Sequence, residues 1–323
     1  MLESIVSLNW WLLILSLASS TILTPLMIKI CHKFAIFDHP NVRSNHKKAV
    51  PIGGGVAVVC SVLWPLWLMT SHQPYLINLT LAILILASIS FLDDLRSLSI
   101  KARIPFQIIA IYLLLSSLLV IPNHSYFILI LGIGSFFFIN FYNFMDGIDG
   151  SASVGAIHIC VSVILIALLD PTISRDIVTI AILLLGASAG FMIFNWHPAR
   201  IFLGDVGSTS IGLLSAWLLI NLALHQHLAA AFIIPLYYMS DSGLTLTHRL
   251  FTGKKIWQAH SEHFFQKAVK NGHTHNVIVR KIILLNVFLM ILSMWSMTEP
   301  IKAVIIGMAT TFAFLYHLHK VKA

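Results

Sequence analysis

Asn140-Phe141-Tyr142-Asn143-Phe144-Met145-Asp146-Gly147-Ile148-Asp149-Gly150 closes an apolar run that begins at Tyr126. A run of that length can enter a bilayer, yet it ends in carboxamides and carboxylates at three-residue spacing. Asn140, Asn143 and Asp146 share one face of a helix at that spacing. Gly147 and Gly150 then let the backbone break and come close to a ligand. Ionisable groups at a membrane-helix end, with no adjacent countercharge, are costly and read first as a functional site. A polar cap with a glycine turn accounts poorly for four such side chains beside a bilayer.

The rest of the chain sets the context for this stretch. Hydrophobic residues make up 58% of it and charged ones 10%, with a mean hydropathy of +0.89. That composition excludes an ordinary soluble domain and indicates an integral membrane protein. No basic region precedes Trp10, so the first apolar run is expected as a retained span and not a cleaved signal. Cys31, Cys60 and Cys160 are scattered, which supports neither a disulfide framework nor a cysteine metal site.

Apolar segments of helical length recur at roughly 8–30, 53–70, 74–92, 104–121, 125–142, 154–169, 177–194, 208–224, 228–246, 279–297 and 301–318. The expected fold is therefore all-α and polytopic, about eleven transmembrane helices in one membrane domain over 1–323. The intervening turns alternate in charge. One set carries 18 of the 20 Lys and Arg residues; only Arg175 and Lys302 fall in the other. The positive-inside rule places the basic set, about 31–52, 93–103, 143–153, 195–207 and 247–278, and the C-terminus in the cytoplasm, with the N-terminus outside. Acids lie on the same side, Asp93, Asp94, Asp146, Asp149, Asp205, Asp241 and Glu262 among them. The net charge of +8 thus reflects topology and anionic ligands, not a nucleic-acid face.

Each of these loops carries polar residues that suit anion or cation chemistry. The first holds Lys47 and Lys48 ahead of Gly53-Gly54-Gly55, where a glycine-rich helix start could cradle phosphate; a basic anchor with a turn is the alternative. In the second, Asp93 and Asp94 point about 100° apart on a helix and are expected to do different jobs, one as a base and the other binding a cation or holding a partner; a helix-ending acid pair beside Arg96 is the alternative. Arg103 and Gln107 follow. The fourth runs from Asn195 through Phe202 to Gly204-Asp205-Val206-Gly207-Ser208, placing Asp205 where a hard cation can be ligated and Phe202 where it can stack a base. The fifth pairs His260 with His263, for phosphate or a transition metal, and its Phe264, Phe265 and Val269 are expected at the membrane surface.

In this order the motifs resemble those of the polyprenyl-phosphate N-acetylhexosaminyl-1-phosphate transferases, glycosyltransferase family 4, over about residues 38 to 266. The resemblance rests on Asp38-x-Pro-Asn-x-Arg-Ser-x-His with Gly53-Gly54-Gly55, Asp93-Asp94 with Arg103 and Gln107, Asn140-x-x-Asn-x-x-Asp-Gly-x-Asp-Gly, Asn195 through Phe202-x-Gly-Asp-x-Gly-Ser, and the His260–His263 loop. It implies a bacterial inner-membrane enzyme that moves a sugar-1-phosphate from a UDP-N-acetylhexosamine to undecaprenyl phosphate, releasing UMP. The same resemblance implies Mg2+, with Mn2+ as a substitute, ligated by Asp205. Asp93 would be the base, Asp94 its support, and Asn143 and Asp146 would lie between nucleotide and metal. Asn195, Phe202, Gly147, Ile148 and Asp149 would surround the uridine, while His260, His263, Arg103 and Lys47 or Lys48 would hold phosphates. A homodimer is one option for the assembly.

The sequence His260-Ser-Glu-His-Phe-Phe-Gln266 departs from both the His-x-His-His and the triple-histidine forms of the family. It is similar to the His-x-x-His-Ala-Tyr-Gln branch, which implies a 6-deoxy sugar and O-antigen initiation in lipopolysaccharide synthesis. A peptidoglycan-type phospho-muramoyl-pentapeptide transferase is the nearest alternative. A secondary transporter with intramembrane acids is the alternative of another class, opposed by the clustering of acids on one side and the lack of an internal repeat.

Overall fold

The computed structural model describes residues 9–40, 48–70, 73–118, 125–258 and 260–320. Lys47 lies outside these residues. The helices are α1 (Trp10–Phe34), α2 (Gly55–Met69), α3 (Leu76–Arg96), α4 (Ile100–Ser116), α5 (Ser125–Phe144), α6 (Ser151–Leu169), α7 (Arg175–Asn195), α8 (Gly204–Leu224), α9 (Leu228–Ile233), α10 (Leu236–Phe251), α11 (Phe264–Lys270), α12 (His275–Trp295) and α13 (Pro300–Lys320). A short antiparallel pair, β1 (Phe37–Asp38) and β2 (Val50–Pro51), joins α1 to α2.

Among the described residues, eight helices are long and apolar enough to cross a membrane: α1, α3, α5, α6, α7, α8, α12 and α13. The expected eleven is not reached on that measure. The helix at 53–70 shortens to 15 residues because its glycine-rich start is drawn into backbone contacts. The helix at 104–121 spans 17 residues. The segment at 228–246 breaks into α9 and α10 at Pro235, which has no N–H to continue the ladder and whose ring opposes the preceding turn.

α8 is the axis of the bundle, with 89% of its membrane-length window buried. It packs against α3, α5, α2 and α6. Small residues (Gly207, Ser208, Ser210, Gly212, Ser215) permit this approach, as expected where lipid gives helices no hydrophobic reason to associate. α1 packs along α7 in the same way: a Cβ on Gly186 would lie 2.6 Å from the Leu13 carbonyl oxygen, and one on Gly190 2.5 Å from that of Leu17.

The start of α2 corrects one sequence expectation. The Gly54 and Gly55 amides donate to the carbonyls of Phe202 and Leu203 at 2.9 and 2.8 Å. A Cβ on Gly55 would meet the Gly207 nitrogen at 2.2 Å. These glycines therefore dock α2 onto the start of α8, and their amides are not available to cradle phosphate. The Phe202 amide in turn donates to Pro51 O at 2.8 Å, so the β1–β2 hairpin is stitched to the same loop.

A second apolar cluster gathers Met145, Ile148, Tyr237, Tyr238, Phe265, Ile278 and Ile282 between α10, α11 and α12. Phe265 is completely buried, with Phe264 and Val269 packed against the cluster. The surface position expected for these three residues is thus replaced, for Phe265, by a core one: a seven-residue helix is held only by such burial.

Candidate active site

The chain ends of α3, α5 and α7 and the chain starts of α4, α8 and α12 meet on one side of the bundle. Asp94, in the last turn of α3, accepts hydrogen bonds from the Asp205 amide (2.8 Å) and the Val206 amide (3.2 Å). It thus caps α8 from a different helix, where the first-turn amides have no partners of their own. Gly204 makes this approach feasible: its φ is +75°, and a Cβ there would fall 2.5 Å from Asp94 Oδ2. Asp93, one residue earlier, points elsewhere. Its Oδ1 accepts from the Leu98 amide at 2.6 Å, and its Oδ2 pairs with Arg103. The same Arg103 Nη1 lies 3.0 Å from Asp205 Oδ2.

Asn143, near the end of α5, accepts from Ser208 Oγ at 2.6 Å. Asn140 is instead paired with Gln107, at 3.3 and 3.4 Å, and donates to Phe136 O; it ties α4 to α5. Asp146 lies just past the helix end. Among the described residues no hydrogen bond or ion pair reaches its carboxylate. Burial, then the neighbouring charges of Asp205, Asp94 and Asp149, push its pKa well above the ordinary carboxylate value. Carboxylate and carboxamide oxygens with an unneutralised acid among them are the hard donors that a Mg2+ ion takes. These residues fit that ion.

Asn195 joins two loops: its Oδ1 accepts from the Gly150 amide at 2.9 Å, and its Nδ2 donates to Ile201 O at 3.0 Å. The Asp149 carboxylate is turned toward two histidines. His197 Nδ1 lies 2.6 Å from its Oδ2 and His275 Nδ1 3.2 Å from its Oδ1, and the Ala199 amide donates to Oδ2 at 3.2 Å. Burial by itself would raise the Asp149 pKa, but these contacts outweigh it and hold the group below its ordinary value.

On the α10–α11 side, Asp241 is fully buried and faces His263 Nδ1 at 3.2 Å. It also accepts from the Phe264 and Phe265 amides at 3.0 and 3.3 Å. It therefore fixes the ring of His263 and caps α11 together. The His260 ring stacks on His263 with centroids 4.9 Å apart. Burial, then the charges of His263 and Arg249, depress the His260 pKa to about 4, so this ring is neutral at pH 7.

Three cavities open on this assembly. A cleft of about 270 Å3 brings together Asn143, Asp146, Gly147, Ile148, Asp149, Asn195, Phe202 and Asp205, all singled out from the sequence. A groove of about 580 Å3 has Arg103, Asp146, Asp205, His260 and His263 at its polar end and Ile100, Ile104, Phe136, Phe137 and Phe141 along its walls. Lys48 stands apart from that group, in a wider cavity of about 1180 Å3 beside Phe202, His197 and His275. Sequence reasoning gave no role to His197, His275 or Asp241. The available signal for Asp241 was an acid inside an apolar segment; for the two histidines, nothing but their proximity in space would have picked them out.

Fold and site together define a polytopic membrane protein with a carboxylate-rich cleft joined to an apolar groove. Residues 76–223 match the model of glycosyl transferase family 4. A phospho-N-acetylmuramoyl-pentapeptide-transferase of Wolbachia sp. subsp. Drosophila simulans is 30% identical over 80% of this chain and 90% of its own length. The corresponding protein of Streptococcus thermophilus is 30% identical over 73% and 77%. A probable undecaprenyl-phosphate N-acetylglucosaminyl 1-phosphate transferase of Bacillus subtilis is 24% identical over 84% and 80%. The chain belongs to the polyprenyl-phosphate hexosamine-1-phosphate transferase family.

Proposed function

We propose that this protein transfers an N-acetylhexosamine-1-phosphate from a UDP-sugar to undecaprenyl phosphate at the cytoplasmic face of a bacterial inner membrane. UMP leaves, and the lipid-diphosphate sugar initiates O-antigen or a related envelope polysaccharide. The observation that carries this reading is the join between the apolar groove and the carboxylate cleft, which share Asn143, Asp146, Gly147, Asp205 and Gln266, with Arg103, His260 and His263 on the groove side. A polyprenyl chain suits the groove walls, and a nucleotide suits the cleft around Gly147, Ile148 and Phe202.

Asp205 and Asp146, with Asn143 beside them, would hold Mg2+ (or Mn2+). When bound, that ion supplies charge neutralisation for an anion attacking an anion. Asp94 holds Asp205 by its backbone. Asp93 takes the proton of the lipid phosphate, whose second pKa near about 6 leaves it only partly the dianion at neutral pH. Arg103, lying between Asp93 and Asp205, orients that phosphate. His260, neutral and half-buried, receives it by hydrogen bonding, while His263 is held in register by Asp241.

The His260–Gln266 sequence favours a 6-deoxy N-acetylhexosamine donor. A peptidoglycan-type role is the second reading, favoured by the number of phospho-N-acetylmuramoyl-pentapeptide transferases among the similar proteins. UMP release by the purified protein separates them, using Mg2+, undecaprenyl phosphate and a panel of UDP-N-acetylhexosamines, their 6-deoxy forms and UDP-N-acetylmuramoyl-pentapeptide. Release with a 6-deoxy donor only is expected. Release with the pentapeptide donor only would establish the second reading, and no release with any donor would defeat both.

A further inference from the structure

We propose that His197 is a positioning residue for the nucleotide half of this reaction, acting through Asp149 from outside the cleft. The inference rests on the transferase reading above and adds a residue which that reading does not use. Asp149 lines the 270 Å3 cleft, and its side chain is 7% exposed. His197, in the loop after α7, is 37% exposed and lines the wide cavity without reaching the cleft. Its Nδ1 stands 2.6 Å from Asp149 Oδ2. The carboxylate is ionised near neutrality and can only accept, so the imidazole carries a proton on Nδ1 and donates it. Such a charge-assisted contact is stronger than a neutral one.

The other contacts of Asp149 decide which oxygen a ligand meets. Oδ2 also accepts from the Ala199 amide at 3.2 Å, so a ring and a backbone group of one loop engage both of its lone pairs. His275 Nδ1 sits 3.2 Å from Oδ1 and 3.4 Å from the Asp149 amide. With either tautomer it engages Asp149 once, donating to the carboxylate or accepting from the amide. Oδ1 therefore keeps a lone pair for a ligand in the cleft, and a nucleoside N–H or hydroxyl is the donor that suits it. The terminal torsion of an aspartate is broad and roughly two-fold, so the carboxylate keeps this direction only while Oδ2 is held. The His197 ring packs beside His275, with centroids 5.2 Å apart, which restricts its own movement. The polar end of the groove, at Arg103, His260 and His263, does not include His197, so the lipid side should be indifferent to its loss.

The test uses the full-length protein in detergent with Mg2+. UMP affinity is read by calorimetry, and steady-state UMP release is read with the UDP-sugar and undecaprenyl phosphate varied in turn. His197→Gln is close to histidine in size but carries its N–H one bond further out. Its UMP Kd and its KM for the UDP-sugar should each rise by about ten- to a hundredfold, the range of one hydrogen bond to a charged group. The kcat and the KM for undecaprenyl phosphate should stay within about twofold, the pattern of lost uniform binding. His197→Asn, whose Nδ2–H takes the place of the Nδ1–H, should restore most of the affinity, which a merely structural role would not produce. His273→Ala, in the same cavity wall but not bonded to Asp149, should change nothing. Wild-type UMP affinity in His197→Gln, an Asn variant no better than the Gln one, or a fall in kcat with both KM values unchanged would overturn the assignment and leave the transferase standing. A wild type that neither binds nor releases UMP would defeat the underlying reading as well.

Discussion

Asp93 and Asp94 are adjacent in sequence and have separate partners: Arg103 and the Leu98 amide for one, the first amides of α8 for the other. Asp93→Asn and Asp205→Asn are expected to abolish UMP release while the protein remains inserted and folded, which size-exclusion and transfer assays together would check. Asp94→Asn should behave differently. It turns an amide NH2 toward backbone N–H groups, and the loss of an acceptor should lower stability by about 1–3 kcal/mol as well as activity. A thermal melt in detergent reads the first part. His260 makes a pH prediction. Its pKa falls from 6.5 in the free side chain to about 4 in the fold, so between those values the unfolded chain binds the extra proton. Its contribution to stability is complete above about 6.5 and is lost as the pH falls through about 4. The melting temperature of the wild type minus that of His260→Gln should fall across that window; a flat difference would exclude a depressed His260.

At the scale of elements, the docking of α2 on α8 sets where Asp205 sits. Gly55→Ala would place a methyl group 2.2 Å from the Gly207 nitrogen and 2.3 Å from its Cα, backbone that cannot move without α8. Loss of folded protein, or of all UMP release, is expected. Gly134→Ala on α5 is the control: nothing lies within 4 Å of its added Cβ, and removing a helix glycine should leave stability unchanged or raise it by about 0.5–1 kcal/mol. The α10–α11 join offers a third test. Asp241 holds His263 and two amides of α11 without lining the groove. Asp241→Asn should raise KM for undecaprenyl phosphate more than it lowers kcat, because its role is to position His263. An equal fall in kcat/KM carried by kcat alone would argue against that role.

For the whole molecule, charge asymmetry predicts which face is cytoplasmic. In a background lacking the exposed Cys60, Lys255→Cys should react with an impermeant thiol reagent only in inside-out vesicles, and Glu299→Cys only in right-side-out cells. The membrane class, the positions of the eight long helices and many of the loop residues lining the cleft were legible in the sequence, because hydropathy over about 20 residues and polar groups at helix ends are local properties. Asn140–Gly150 alone marked Asn143, Asp146 and Gly147, and these do line the cleft. Three other features depended on tertiary contact. The glycines at the start of α2 read equally as a phosphate cradle or as a turn beside a basic anchor, and the Phe202 and Leu203 carbonyls that take the Gly54 and Gly55 amides decide against the cradle. Pro235 broke what composition read as one span. Asp149, His197 and His275 are far apart in the chain and only three converging loop ends bring them within 4.8 Å. A sequence determines what each segment can bury and which groups it cannot afford to leave in lipid. Which buried donor meets which acceptor is decided by long-range packing, since hydrogen bonds and ligand shells act over about 3 Å between residues whose separation along the chain carries no such information.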